Sequence, residues 1–270
     1  MSTMLLVNAD DFGLGENHVA GILRAHDHGV VTSTSILAAC LRVEWVEELS
    51  LRPNLARVAH LTLTEGKPLL GARYPQRFLT SDGSFPSRFR YGRRCCYELD
   101  KSVIQEEFRL QIEAVLKYFD VSGLDTHHHI HEVPSVFEIV LDLAQKYGVA
   151  LRAMNATQRD VCSKSGVMHP SVVMDTFNSD GYSVERLWID LLRIENSDGF
   201  IEVVCHPATN SKDPMTRYTE GRGRELAVLT DANFATRLRD RFVLISDRNR
   251  VRACSSVERF NSGITKCSCR

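Results

Sequence analysis

The sequence predicts a single-domain α/β protein folded as a TIM-barrel-like (β/α) barrel. Short apolar runs alternate along the chain with amphipathic segments, which is the pattern of parallel strands joined by crossover helices. Seven strands are predicted, and this number fits a barrel better than a small open sheet. The length of 270 residues is sufficient for one large domain with a sizeable core.

The predicted elements follow from apolar periodicity. The strands lie at 5–9, 31–37, 57–63, 123–129, 149–153, 201–205 and 242–245. The clearest helix opens at Pro134 and places Val136, Ile139 and Val140 on one face. A long irregular stretch rich in glycine and proline, roughly 66–100, is predicted to be a loop that is either functional or carries minor structure of its own. We place the domain at 1–246 and treat 247–270 as a tail of unknown order.

Charge and composition exclude several functional classes. The 33 Lys and Arg residues nearly balance the 34 Asp and Glu residues, so no basic surface for nucleic acid or an anionic membrane is expected. No apolar run approaches the ~18 residues of a membrane span, and the N-terminus lacks a basic signal-peptide region. We therefore expect a cytoplasmic protein. Among the eight cysteines no Cys-x-x-Cys pair occurs, which argues against a zinc site. Without a secretory signal, the thiols are expected to be reduced.

Polar side chains stand near the carboxyl ends of several predicted strands. Asp10 and Asp11 follow the first strand, His60 lies in the third, Arg152 in the fifth, and His206 follows the sixth. The ends of parallel strands meet at one mouth of a barrel, where active sites are built. Carboxylates and imidazoles that converge there are the groups that a metal-assisted hydrolytic site requires.

The adjacent carboxylates Asp10 and Asp11 are predicted to do different work. Neighbouring strand residues point to opposite faces, so one can bind a metal while the other accepts a proton from metal-bound water. The alternative reading of either residue is a helix N-cap or turn aspartate before Gly13.

Four of the ten histidines fall within five positions, at 127, 128, 129 and 131. In a strand, His127, His129 and His131 share one face, and residues i and i+2 can reach one metal. The i and i+4 pair would be ~13 Å apart along the strand. The spacing therefore does not choose the ligand, and a solvated histidine cluster is the alternative.

His206 stands where a predicted strand ends and suits a general acid, because an unperturbed imidazole titrates near neutrality. Its alternative is a strand-end histidine without a role. The neighbouring Cys205 is predicted to be a buried strand cysteine rather than a nucleophile.

Six stretches in order, spread over roughly residues 4–246, resemble the YdjC-like carbohydrate deacetylases, which include the chito-oligosaccharide deacetylases. The stretches are Val7–Gly13, Gly29–Ser35, His60–Pro68, Asp125–His131, Glu202–Pro207 and Arg222–Thr230. The resemblance implies a TIM-barrel-like fold and hydrolysis of the N-acetyl group of an amino sugar, with release of acetate. It also implies one divalent metal ion, Mg²⁺ or Zn²⁺, held by Asp11, His60 and His127.

The resemblance further implies the roles of the remaining polar residues. Asp10 would be the general base, His206 the general acid toward the departing amine, and Arg152 would steer Asp10 or the substrate. His129 and His131 would line the sugar cleft. The implied partner is an acetylated amino sugar, and a homodimer is plausible from the family.

The sequence departs from the family pattern at two points. Ala208 replaces the usual glycine after His-Pro, and Ala153–Asn155 replaces a proline-containing continuation after Arg152. These departures keep open a non-catalytic carbohydrate-binding or metal-binding member of the same fold. A different metal-dependent amidohydrolase on the same barrel is the other alternative.

Overall fold

The computed structural model describes residues 3–86, 94–175, 183–195, 198–209 and 220–248. These residues form one curled sheet in which every strand pairing is parallel. The strands are β1 (Met4–Phe12), β2 (Ser33–Ile36), β3 (Ala56–Leu61), β4 (Gly123–Thr126), β5 (Ala150–Leu151), β6 (Val172–Met174), β7 (Phe200–Cys205) and β8 (Val243–Leu244).

The strand order is β5-β4-β3-β2-β1-β7-β6, and β8 pairs with the first residues of β1. Within the described residues no pairing joins β5 to β6, so the curled sheet does not close there. The prediction of a barrel-like parallel α/β domain is confirmed. All seven predicted strands overlap an observed strand, and β6 is an additional one.

Nine α-helices are found in the described ranges. They are α1 (Glu16–Asp27), α2 (Val43–Ser50), α3 (Arg94–Glu98), α4 (Lys101–Leu116), α5 (Pro134–Tyr147), α6 (Ala156–Lys164), α7 (Val184–Ile194), α8 (Glu220–Leu229) and α9 (Ala232–Arg241). No described helix has both the length and the apolar character needed to cross a membrane. Arg248 is the last described residue, so 249–270 of the predicted tail lie outside the described residues.

The two faces of the sheet are built by alternation along the strands. In β1, Leu5 and Val7 belong to the large core that also contains the apolar helix faces. Leu6 packs instead against Phe200 of β7 in a separate small cluster on the other face. Asn8 continues the Leu6 series at a spacing of two, so polar side chains follow the apolar ones on the inner face of the curl.

The alternation breaks at the end of β1, where two carboxylates lie side by side. The register of β1 against β2 shifts between Ala9 and Phe12, and Asp11 has a φ of 73°. A left-handed backbone at a residue other than glycine is uncommon and redirects the side chain. The prediction that Asp10 and Asp11 point to opposite faces is therefore wrong, because both carboxylates approach His60.

The histidine cluster also departs from the predicted strand. β4 ends at Thr126, and His127–Glu132 forms a short irregular helical segment. Within it His128 and His129 have left-handed backbone angles, with φ of 56° and 49°. These two residues turn the chain, so the prediction that His127, His129 and His131 share one strand face is wrong.

Candidate functional site

Three of the predicted residues meet beyond the carboxyl ends of β1, β3 and β4. Asp11, His60 and His127 each offer one ligand atom, and these atoms lie within 4.8 Å of one another. Asp11 Oδ1 is 3.0 Å from His127 Nδ1 and 3.5 Å from His60 Nε2. All three side chains are buried.

This group has the donor set of a site for a divalent cation. Asp11 Oδ1 is a buried carboxylate oxygen that accepts no hydrogen bond from the described residues, although it faces two imidazole nitrogens. One carboxylate oxygen and two imidazole nitrogens form a ligand set found for several divalent metals. Three protein ligands also leave positions for water and substrate.

His60 is oriented by Asp125, its register partner on the neighbouring strand β4. The ring Nδ1 donates to Asp125 Oδ1 at 2.7 Å, which leaves Nε2 toward Asp11. A carboxylate behind a metal-ligating histidine fixes the tautomer and ring orientation in this way. Burial lowers the pKa of His60, but Asp10 and Asp125 outweigh it and raise the pKa to about 10. A cation therefore competes with a proton for Nε2.

Asp10, His60 and Asp125 form a second group with suitable ligand distances. Both of its carboxylates, however, are already bound to a buried guanidinium. Arg152 donates to both oxygens of Asp10, each at 2.8 Å, and lies 2.8 Å from Asp125 Oδ2. Every oxygen of Asp10 and Asp125 already accepts a hydrogen bond, whereas Asp11 Oδ1 accepts none from the described residues, so the group containing Asp11 is the better cation site.

Asp10 is held as an ionised acceptor. Asn8 Nδ2 donates to Asp10 Oδ1 at 2.7 Å, in addition to the two bonds from Arg152. Burial raises the pKa of the Asp10 carboxyl, but Arg152 and His60 outweigh burial and hold the pKa at about 2. Arg152 itself is completely buried and also donates from Nε to Glu202 Oε1 at 2.7 Å.

Asp11 is bound by a different arginine, and only one of its carboxylate oxygens is used. The other oxygen is directed at His60 and His127. Arg222 of α8 donates to Asp11 Oδ2 at 2.8 Å. Burial raises the pKa of Asp11, but His127 and Arg222 more than compensate and hold it well below its usual value. The two neighbouring carboxylates are thus bound by different arginines, Asp10 by Arg152 and Asp11 by Arg222.

His206 lies directly after β7, at the rim of the same site. Its backbone N–H donates to Glu225 of α8, and its side chain is 16% exposed. Burial lowers the pKa of the His206 imidazole to about 4, with Arg222 acting in the same direction against Asp11. The ring is therefore neutral at pH 7.

The alanine that departs from the family pattern sits in a tight contact. Ala208 is not among the described non-glycine residues with a positive φ, so its backbone does not require glycine. The close approach is made on the other side by Gly21 of α1. A Cβ at Gly21 would lie 2.4 Å from Ala208 Cα and 2.7 Å from Pro207 O.

The two remaining predicted residues, His129 and His131, occupy different environments. His129 is partly exposed, and its Nε2 lies 3.2 Å from Asp175 Oδ2 at the end of β6. His131 is completely buried and shares a hydrogen bond with Thr126 through Nδ1. The rings are 6.2 Å apart and edge-to-face. His131 lies deeper in the protein than His129, which stays at the rim of the site.

Sequence reasoning missed several residues that shape the site. Asp175 follows a short apolar run, Val172–Met174, which is the same signal that marks the other strand ends. Glu202 is an ionisable residue inside the buried strand β7, and such a charge requires a partner. Arg222 was noted only as part of a motif, because nothing local in the sequence joins it to Asp11.

The fold and site define a class of protein: a barrel-like parallel α/β protein with a carboxylate and histidine centre at the carboxyl ends of its strands. More specifically, the family model for YdjC-like proteins matches residues 4–240, and the chain belongs to this family.

Similar proteins of known sequence and structure cover most of the chain. A carbohydrate deacetylase of Geobacillus stearothermophilus is 32% identical over 250 residues, covering 90% of this chain and 96% of the relative. A carbohydrate deacetylase of Listeria monocytogenes is 31% identical over 230 residues, covering 84% and 91%. The crystal structure of a candidate cellobiose-phosphate cleavage protein from Enterococcus faecalis V583 has a TM-score of 0.80 at 27% identity, covering 93% of this chain and 99% of that one.

Proposed function

We propose that the protein is a metal-dependent carbohydrate deacetylase. It removes N-acetyl groups from N-acetylglucosamine-type oligosaccharides or glycoconjugates and releases acetate and a free amino sugar. The observation that carries this proposal is the division of work between neighbours: Asp11 faces two imidazoles, whereas Asp10 is held by Arg152. The deacetylase names of the two relatives support the reaction and the carbohydrate class of substrate.

Asp11, His60 and His127 would hold one divalent cation, Mg²⁺ or Zn²⁺, since one carboxylate and two imidazoles suit either ion. Bound there, the cation supplies an acidified water and stabilises negative charge on the acetyl oxygen. The ligand atoms are contributed by three different strand ends, so the fold holds the ligand set together.

Asp10 is the general base in this proposal. A carboxylate with a pKa of about 2 is a weak base, so it is effective only toward water whose pKa has been lowered by a nearby cation. Asn8 and Arg152 keep the carboxylate ionised and fix its direction. Arg152 therefore acts as the positioning residue for Asp10.

His206 is the general acid in this proposal. When the C–N bond breaks, its electron pair goes to the sugar nitrogen, which needs a proton to leave as an amine. Because its pKa is about 4, His206 is neutral at pH 7 and must take up a proton from solvent before it donates one to nitrogen. Asp10 returns to solvent the proton that it removed from water, so the reaction is balanced in protons.

His129 contacts the sugar in this proposal, and Asp175 orients its ring from the end of β6. His131 supports His129 from behind, because complete burial keeps it away from a ligand in the cleft. The cytoplasmic location and the homodimer stay predictions.

The proposal is tested by acetate release from diacetylchitobiose. Metal-stripped protein is compared with protein loaded with Mg²⁺ or Zn²⁺, and wild type is compared with Asp10→Asn and Asp11→Asn. We expect metal-dependent release by wild type. Asp10→Asn should keep the metal and lose turnover, because the cation ligands are intact, whereas Asp11→Asn should lose metal affinity.

Equal metal loss in the two variants would contradict the division of roles. Sugar binding without acetate release by folded, metal-loaded protein would favour a binding protein on the same fold. Hydrolysis of other amides, with no release from a panel of acetylated glycans, would favour a different amidohydrolase.

A further inference from the structure

The inner face of the sheet contains two buried guanidinium groups. Besides Arg152, the side chain of Arg248 is completely buried, although it follows β8 and lies beyond the family match that ends at residue 240. Its Nη2 donates to Asp125 Oδ2 at 3.2 Å and to Glu202 Oε1. A segment assigned to the tail by sequence therefore reaches the carboxylates behind the candidate metal site.

Arg248 and Arg152 bind the same two carboxylates. Arg152 lies 2.8 Å from Asp125 Oδ2 and donates from Nε to Glu202 Oε1 at 2.7 Å. The four side chains together carry two positive and two negative charges, and Arg152 also binds Asp10. Without Arg248, a single buried guanidinium would face three carboxylates, and uncompensated buried charge is strongly unfavourable.

The start of β4 is shaped to admit this side chain. A Cβ on Gly123 would lie 2.7 Å from Arg248 Nη1 and 2.9 Å from its Cδ. A residue larger than glycine would therefore meet the Arg248 side chain. This packing is independent of the ion pairs and shows that Arg248 occupies a dedicated position.

Arg248 reaches the candidate metal ligand His60 through one intervening residue, Asp125. Asp125 Oδ2 receives Arg248, while its Oδ1 receives His60 Nδ1 at 2.7 Å. We propose that Arg248 is a positioning residue for His60: it holds Asp125 and balances Glu202, so that His60 Nε2 stays directed at the cation site. The proposal rests on the proposed function, because it takes His60 as a metal ligand.

The test measures the dissociation constant of Zn²⁺ or Mg²⁺ and the melting temperature of the full chain. Arg248→Met should weaken metal binding, but by less than the about 10- to 100-fold expected for loss of Asp125, the direct partner of His60. Adding Glu202→Gln to Arg248→Met restores the net charge of the buried set. It should recover a large part of the lost affinity and melting temperature, which a purely space-filling role of Arg248 would not allow.

Arg241 and Glu195 supply the matched control, since Arg241 precedes Arg248 by seven residues and forms a surface ion pair with Glu195. Arg241→Met, alone or with Glu195→Gln, should leave the metal dissociation constant unchanged. If Arg248→Met does not fold, Arg248→Lys replaces it. Lysine keeps the charge but lacks the planar fork, so a smaller loss of affinity is expected.

The outcomes separate this inference from the proposed function. Wild-type metal affinity in Arg248→Met overturns the inference alone, as does a loss that Glu202→Gln fails to relieve. Metal binding by wild type without acetate release overturns the proposed function, while the dissociation constants still decide the role of Arg248. No metal binding by wild type overturns both.

Discussion

Asp10 and Asp11 are adjacent in sequence but differ in what binds their oxygens. Both oxygens of Asp10 accept from Arg152, whereas Asp11 gives one oxygen to Arg222 and directs the other at two imidazoles. One left-handed residue produces this difference, because it brings both side chains to the same side of β1. Identical side chains are thereby suited to a base and to a metal ligand.

His206→Gln should lower turnover while leaving metal affinity intact. The ring is not among the cation ligands, but it is the proposed proton donor to the amine, and a general acid contributes typically ~10²–10⁴-fold. Turnover is measured as acetate release, and metal affinity by titration of stripped protein. Turnover close to that of wild type would remove His206 as the acid.

The buried imidazole of His131 should make the fold sensitive to acid. Burial lowers its pKa from 6.5 to about 3, with His129 and Arg152 acting in the same direction. The unfolded chain therefore binds a proton below pH 6.5 that the folded chain does not, so the stability contribution is complete above pH 6.5 and falls as the pH drops toward 3. We expect about 1–2 kcal/mol to be lost between pH 6.5 and 5 from this residue.

Urea unfolding of wild type and His131→Gln at several pH values measures this effect. The variant should show a shallower loss of unfolding free energy below pH 6.5. His28→Gln is the control, because His28 lies exposed at the end of α1. Parallel pH dependences for wild type and His131→Gln would contradict the expectation.

At the scale of elements, sequence periodicity predicted where the strands lie but not the direction of the side chains at the ends of the strands. Apolar runs report burial, and this was sufficient to locate β1, β4 and β7. The chain direction at Asp11, His128 and His129 depends on left-handed backbone angles that residues other than glycine adopt only when tertiary contacts compensate. His128 has such a contact, because its ring is hydrogen-bonded to Thr64 from another part of the chain.

The contact between α1 and the segment after β7 should position His206. Gly21→Ala introduces a Cβ 2.4 Å from Ala208 Cα, so α1 and the His206–Ala208 segment must move apart. We expect a loss of about 1–3 kcal/mol in stability, as for other overpacked sites. Turnover should fall more than metal affinity, because small displacements of a catalytic group reduce rates strongly.

Gly223→Ala is the matched control for this substitution. Gly223 lies within α8, and a Cβ there would have no neighbour within 4 Å among the described residues. Alanine is favoured over glycine inside helices by about 0.5–1 kcal/mol, so this variant should be neutral or slightly stabilised. Wild-type turnover and stability in Gly21→Ala would show that the contact does not position His206.

At the scale of the whole molecule, the site is assembled from residues far apart in the chain. Arg152 is 142 positions from Asp10, and Arg222 is 211 positions from Asp11. Strand-end position indicated that Asp10, Asp11 and Arg152 would converge, but it gave no pairing between particular charges. Arg248 was beyond prediction, since its burial depends on the short strand β8 returning to β1.

The assembled centre should couple metal binding to global stability. A ligand that binds only the folded chain stabilises it by about 2.7 kcal/mol at 100 times its dissociation constant. For a chain of this size we therefore expect the melting temperature of stripped protein to rise by roughly 5–10 °C on saturation. Asp11→Asn should abolish most of this rise, whereas Asp10→Asn should keep it, because Asp10 is committed to Arg152 rather than to the cation. Calorimetry of the three proteins with and without Zn²⁺ or Mg²⁺ measures the effect, and an undiminished rise in Asp11→Asn would place the cation elsewhere in the molecule.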